Sequence, residues 1–275
     1  MENTIYDHSS LGKKSEYDSY YNPDKLLPIA RFEQRKELGI TTARPFYGHD
    51  IWNHYEVSWL NEKGKPIVAL AEIIYPCNSP NLIESKSMKL YFNSFNNSTF
   101  ANLEAVQTRV TQDIEEKINA KVNAKIIPIS KFQPERINGF DGICIDDLDI
   151  NCTTYTIDPS FLTAENESAN EILYSNLLKS NCLVTNQPDW GSVQISYSGK
   201  KINHAGLLRY LISFRNHNEF AEHCIERIFM DIMRSCNPDE LTVYGRYTRR
   251  GGLDINPFRS TNPNVMLKNI LHCRQ

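Results

Sequence analysis

No apolar run in this sequence approaches the roughly 18 residues that a membrane-spanning helix requires. Three motifs are also missing: CxxC, HExxH and GxGxxG. Their absence removes a zinc ribbon, a zincin site and a Rossmann dinucleotide fold from consideration. Neither sign of charge dominates, with 30 Lys and Arg against 33 Asp and Glu and a net charge of −3. That balance argues against general nucleic-acid affinity. The N-terminal stretch MENTIYDHSSLGKKSEYDSYY has no apolar core of the kind a signal peptide carries. A soluble cytoplasmic protein is therefore expected. The cysteines are seven, an odd and scattered set, so no disulfide framework is indicated and reduced thiols are expected.

What is present suffices for a sizeable core: 275 residues, 40% of them hydrophobic. Residues 1–48 show little periodicity and read as an irregular arm packed by aromatics. Tyr55–Trp59 alternates as a strand does, Asn61–Pro66 is a turn, and Ile67–Tyr75 is a second strand. Leu103, Val106, Val110, Ile114 and Ile118 recur at three and four residues and predict a helix. Ile126–Ile129 returns to the sheet. The Gly- and Asp-rich stretch Pro134–Asp149 is the expected boundary between a first module, 49–140, and a second, 141–275. In the second, Thr153–Ile157 reads as a strand and Val193–Ile202 as a hairpin turning at Ser198-Gly199-Lys200. Helices are expected over Gly206–His217 and Glu219–Ser235, the latter capped by Asn218, and a strand over Leu241–Thr248. Two similar strand–helix–strand halves imply an α+β protein of antiparallel sheets with helices on one face.

Four stretches carry chemistry. In SNCLVTNQPDWG, Cys182 precedes Asp189 by seven positions, and Pro188 and Gly191 suggest a turn that returns the carboxyl group towards the thiol. A carboxylate beside a thiol disfavours the thiolate. A protonated Asp189 suits a different task, giving a proton to a nitrile or imine nitrogen as the thiol attacks. A buried structural cysteine with a loop aspartate is the plain alternative. In LIESKSMKLYF, Glu84 accepts N–H groups and Lys86 and Lys89 meet phosphate, or the stretch is a solvated edge strand. In YTRRGG, glycine allows close backbone approach and arginine forks onto phosphate, or the segment is a surface turn. In FRNHNEFAEH, Glu222 lies in the first turn of a helix, and His217 and His223 have the wrong interval for a metal pair.

Taken in order, LLKSNCLVTNQPDWGS, ESKSMKLY, RNHNEF and YTRRGGLDINP resemble the NADPH-dependent 7-cyano-7-deazaguanine reductases, in their long two-module bacterial form. The resemblance covers the chain from about residue 10. It implies tandem tunnelling-fold modules and a homodimer that contacts neither nucleic acid nor membrane. The substrate it implies is a free deazapurine, preQ0, whose nitrile is reduced at the expense of NADPH on the way to queuosine. Matched position by position, Cys182 forms a thioimide and Asp189 protonates the nitrile nitrogen. Ile83, Glu84, Ser85, Ala221 and Glu222 fall at substrate positions, and Ser85, Lys86, Arg250 and Gly251 at cofactor positions. No metal is implied.

One position departs from the family pattern. The family reads Phe-His-Glu where this chain reads Phe220-Ala221-Glu222. His223 lies two positions on, and each helical residue turns the direction by about 100°. Loss of that imidazole points to an impaired variant unless the role is rerouted. It also keeps a non-catalytic purine-binding protein among the alternatives, beside a zinc-dependent cyclohydrolase-like enzyme of the same fold.

Overall fold

Apolar residues at helical spacing and alternating residues between turns sort the described residues into eleven strands and five α-helices. The computed structural model describes residues 18–41, 44–132, 139–265 and 267–275. In chain order the elements are β1 (Pro28–Ala30), α1 (Phe32–Glu37), β2 (Tyr47–Leu60), β3 (Pro66–Pro76), β4 (Asn81–Ile83), α2 (Ser85–Ser94), α3 (Leu103–Ile118) and β5 (Asn123–Pro128). They continue with β6 (Ile143–Cys144), β7 (Ala164–Ser175), β8 (Lys179–Asn181), β9 (Pro188–Ile202), α4 (His204–Ser213), α5 (Ala221–Cys236), β10 (Glu240–Tyr247) and β11 (Leu253–Ser260). Among the described residues no helix is long and apolar enough to cross a membrane.

The chain folds into two compact units. The first comprises 1–33, 50–134 and 249–254; the second comprises 34–49, 135–248 and 255–275. Part of the expected boundary, 134–138, lies outside the described residues. In the first unit β3 lies between β2 and β5, and β3 and β5 run antiparallel with Leu70 opposite Ile127. Strand β3 buries every second residue from Ala69 to Tyr75, the period of a half-covered sheet. Helix α3 lies against β5 and buries Val106, Val110, Ile114 and Ile118, the stripe read from its spacing. Asn102 caps its start by accepting from the Ala105 N–H, and Asn119 ends it in the left-handed conformation.

The second unit orders its strands β11-β10-β9-β7-β6, with β8 on β9. All these pairs are antiparallel except the two-residue contact of β6 with β7. Helix α5 packs on β9 and β10. Each unit joins its two helices with the same bond. The Tyr91 hydroxyl donates to Asp113 at 2.7 Å in the first, and the Tyr210 hydroxyl to Asp231 at 2.7 Å in the second. In both, a serine three residues beyond the tyrosine donates back to its carbonyl at 2.6 Å.

Several expectations are corrected. The stretch 1–48 is not wholly irregular: it holds β1, α1 and the start of β2, while residues 1–17 lie outside the description. Segment 153–157 is not a strand; the strand is β7, whose outward residues are polar enough to hide its alternation. Ser198-Gly199-Lys200 is no turn. Strand β9 runs straight through it, because those residues pair with Asn170, Ala169 and Ser168 of β7. The helix expected over 206–217 begins at His204 and gives way to a 3-10 turn at Phe214. The last long helix starts at Ala221 with Phe220, not Asn218, at its cap, because Asn218 is held in a bridge to Asn181.

Candidate active site

Strand β8 is short because a turn follows at once, and that turn carries Cys182. The Cys182 N–H donates to the Gln187 carbonyl at 2.8 Å, and the Asn186 N–H returns to the Cys182 carbonyl at 3.1 Å. Asn186 takes φ +56, which asparagine tolerates better than most residues. The reversal therefore lies at 182–187, ahead of Pro188, and not at 188–191 as the proline and glycine suggested. β8 and β9 pair antiparallel, with Ser180 opposite Asp189 and Asn181 opposite Pro188. Ser180 and Asp189 therefore share a face of the hairpin, and Cys182 follows β8 directly at the start of the turn. Cys182 is only 3% exposed and Asp189 half-buried. Gly191 is where β9 meets the Tyr247 ring: a Cβ there would stand 3.3 Å from that ring.

The start of α5 is tied to the same hairpin. The Asn181 N–H donates to the His217 carbonyl at 2.8 Å, and the Glu219 N–H donates to the Asn181 carbonyl at 3.1 Å. Lys179 Nζ donates to Asn181 Oδ1 and to the Arg215 carbonyl, each at 2.6 Å. Burial, then Arg215, lowers the Lys179 pKa, and Asp189 opposes them. Glu219 is gripped by both Arg227 nitrogens at 2.8 and 3.0 Å and by His217 at 3.0 Å. Burial works to raise its carboxyl, but these contacts prevail and hold it down to about 2. Glu222, 1% exposed, follows Ala221 in the first turn of α5, whose cap residue Phe220 offers no side-chain hydrogen bond. His223 is fully buried and faces the protein interior, where its charge would act on Glu219 and Glu226. Two of the other cysteines are unsuited to attack: burial pushes Cys224 well above its ordinary value and Cys236 up to about 11.

The first unit gathers the remaining residues. ESKSMKLYF is not a strand. Glu84 caps α2 by accepting from the Lys86 N–H at 2.8 Å and the Ser87 N–H at 2.7 Å, a place where the helix dipole favours an anion. Glu84 is 1% exposed. Burial raises its pKa, the two N–H bonds and Arg250 opposing. Ser85 and Lys86 begin the helix half-buried, and the Ser85 hydroxyl reaches Glu84 at 3.4 Å. Ile83, paired with Pro28, is 1% exposed.

Arg250 and Gly251 sit on a tight loop. The Arg250 N–H donates to the Leu253 carbonyl at 2.8 Å, and Gly251 and Gly252 between them take φ +64 and +80. Two positive φ angles are the mark of the hairpin turn that only glycine-like residues enter easily. The Arg249 guanidinium lies 3.5 Å from the centre of the Tyr55 ring. A Cβ on Gly251 would press on Lys89, 3.1 Å from its Cδ. Sequence reasoning missed Lys179, Asn181 and Asn218, although the polar KSN before Cys182 and the RNHNE junction were the signal. Among the described residues no three His, Cys, Asp or Glu side chains are placed to hold a metal ion.

Comparison with known proteins gives a concordant result. Residues 17–126 match the family model described as nitrile reductase, 7-cyano-7-deazaguanine-reductase N-terminal, and residues 188–265 match that of QueF-like proteins. The chain is 61% identical over 261 residues to the NADPH-dependent 7-cyano-7-deazaguanine reductase of Legionella pneumophila (strain Corby), covering 94% of this chain and 92% of the relative. It is 53% identical over 277 residues to the protein of that name from Acidovorax ebreus (strain TPSY), covering 98% and 99%.

Proposed function

The chain belongs to the 7-cyano-7-deazaguanine reductase family, and from that premise we propose how its residues divide the reaction. The protein is an NADPH-dependent nitrile reductase of the queuosine pathway, converting preQ0 to preQ1. Its substrate is a free deazapurine.

Cys182 is the nucleophile. Its Sγ bonds to the nitrile carbon while the nitrile nitrogen takes a proton from the Asp189 carboxyl. The proton shed by the thiol restores that carboxyl, so the product of the step is a neutral thioimide on Cys182. The supporting observation is the hairpin itself: Cys182 opens the turn between β8 and β9, and Asp189 stands at the start of β9, so one short hairpin carries both residues. Half-burial keeps Asp189 within reach of a ligand and limits competing water. Glu222 and Glu84 read the ring N–H groups. Each of the two cap bonds to Glu84 takes one of its roughly four lone-pair sites, so acceptor capacity remains for a ligand. Ile83, Ser85 and Ala221 complete the substrate positions.

NADPH, when bound, supplies hydride, and a nitrile needs two hydrides to become an amine. Lys86 and Arg250 offer cations to its phosphates, Ser85 a hydroxyl at a helix start, and Gly251 a backbone position free of a side chain. Lys89 lies against Gly251, its Nζ 3.5 Å from where a Cβ would stand, and adds a third cation beside this turn. We further infer a homodimer working in the cytoplasm, for which the seven free thiols are suited. The test is stoichiometry. With preQ0, absorbance and product mass should give two NADPH oxidised per preQ1 formed, and an amide or acid product would overturn the assignment.

A further inference from the structure

His54 is buried completely, in β2 of the first unit. Its Nδ1 lies 2.8 Å from the carbonyl oxygen of Gly252. A carbonyl only accepts, so Nδ1 carries the proton. Burial lowers the ring's pKa to about 4 against the pull of that same bond. The ring is therefore neutral, and Nε2 is a bare acceptor. Nε2 is buried with no hydrogen-bond partner among the described residues. The ring packs on Phe92 with centroids 4.5 Å apart. A phenyl ring would fill that hole without stranding a nitrogen. What imidazole adds here is the one bond from Nδ1.

That bond lands on the loop that holds Arg250 and Gly251. The Gly252 carbonyl takes a second donor, the Tyr55 N–H, at 2.9 Å. Both of its lone pairs are then engaged. On the same strand Asn53 Nδ2 and the Tyr55 hydroxyl donate to the two oxygens of Asp254 at 2.8 and 2.5 Å. The tight turn that carries Arg250 and Gly251 is thus fixed at one carbonyl and one neighbouring carboxylate.

We propose that His54 is a positioning residue for the cofactor: through Nδ1–H it clamps the Gly252 carbonyl and holds the Arg250–Gly251 turn in the conformation that meets the NADPH phosphates. The inference rests on the cofactor reading of that turn, so the test treats the two separately. His54→Phe removes the donor and keeps a ring. His54→Asn returns an N–H close to the position of Nδ1, and His54→Gln places one near Nε2, where no acceptor waits. Arg250→Ala tests the turn itself. NADPH affinity is read by its fluorescence, and amide exchange at Arg250 and Tyr55 is read without NADPH. Adduct formation with preQ0, which needs no NADPH, reports on the rest of the protein.

His54→Phe and His54→Gln should each weaken NADPH binding about tenfold and speed exchange at both amides, with adduct formation within twofold of the parent. His54→Asn should restore affinity and protection together. Normal NADPH affinity in His54→Phe and His54→Gln, beside a weakened Arg250→Ala, would overturn the role of His54 alone. Full affinity in Arg250→Ala would overturn the cofactor reading of the turn and the His54 inference with it. If His54→Phe fails to fold, the contrast between the Asn and Gln variants decides: equal NADPH affinity in the two overturns the proposal.

Discussion

Ser180 stands directly opposite Asp189 in the β8–β9 ladder, and Cys182 follows Ser180 by two residues. A strand pair holds such a relationship more firmly than a loop, because slipping the register by one residue would turn every side chain to the other face. Cys182 and Asp189 are thus carried by one hairpin.

Substitutions within this hairpin should separate attack from protonation. Cys182→Ala should abolish the covalent preQ0 adduct in intact-protein mass spectra and leave non-covalent binding. Asp189→Asn should slow adduct formation by about 10²–10⁴-fold, the usual contribution of a positioned general acid. The same adduct persisting in Cys182→Ala would move the nucleophile elsewhere.

Ala221 bears on the steps after attack. Buried His223 packs against Phe220, the cap residue of α5, with ring centroids 6.2 Å apart, and position 221 itself carries no imidazole. Adduct should therefore form at an ordinary rate and accumulate, with NADPH oxidation slow. Ala221→His should speed oxidation by about 10²–10⁴-fold and change adduct formation little. Following both signals in one sample checks this, and equal oxidation rates in the two proteins would remove position 221 from catalysis.

The two carboxylates proposed to read the ring, Glu84 and Glu222, should matter for capture. On a Cys182→Ala background, Glu84→Ala and Glu222→Ala should each cost preQ0 binding about 2–5 kcal/mol by calorimetry. Acidity adds a check on Glu84. Burial raises its pKa above the ordinary glutamate value, so its carboxylate form is lost at a higher pH than usual as the solution is acidified. Binding should fall through that window. For folding the sign is opposite: the folded state favours the proton, so this group's contribution to stability grows as pH falls through the raised pKa.

Glu226 predicts acid sensitivity of the opposite kind. It is fully buried and accepts from Arg35 at 2.6 and 2.9 Å and from Arg259 at 2.8 and 3.0 Å. Burial opposes its charge, but the arginines prevail and hold its pKa well below the ordinary range. A depressed folded pKa means stability present above the ordinary glutamate value and lost as pH falls towards the lowered one. Glu226→Gln should destabilise the protein by about 3–5 kcal/mol in urea titrations near neutral pH, because two guanidinium groups are left without their anion. The gap from the parent should narrow in acid.

What the sequence disclosed follows from the range of the forces involved. Helices α3 and α5 were legible because their stripes are local and strong. Helix α2 was not, since ESKSMKLYF satisfies a strand's alternation nearly as well, and the deciding bonds from Glu84 to its own first turn are invisible in a pattern. Strand β7 hid behind polar outward residues. Gly199 read as a turn, although β7 continues to pair across it. At the candidate site, a turn between Cys182 and Asp189 was legible while its position was not. The bridge from Asn181 to Asn218 and the bond from His54 to Gly252 span 37 and 198 positions. No local pattern encodes them.

The tyrosine–aspartate bond between helices recurs in both units, while the helix starts around it differ. In the first unit the second helix keeps an asparagine cap, Asn102, and the first helix starts on Glu84. In the second unit the arrangement is exchanged: the first helix keeps its cap, Asn203, and the second opens at Phe220 with Glu222 in its first turn. Each unit secures one helix start with an asparagine and places a buried carboxylate at the start of the other.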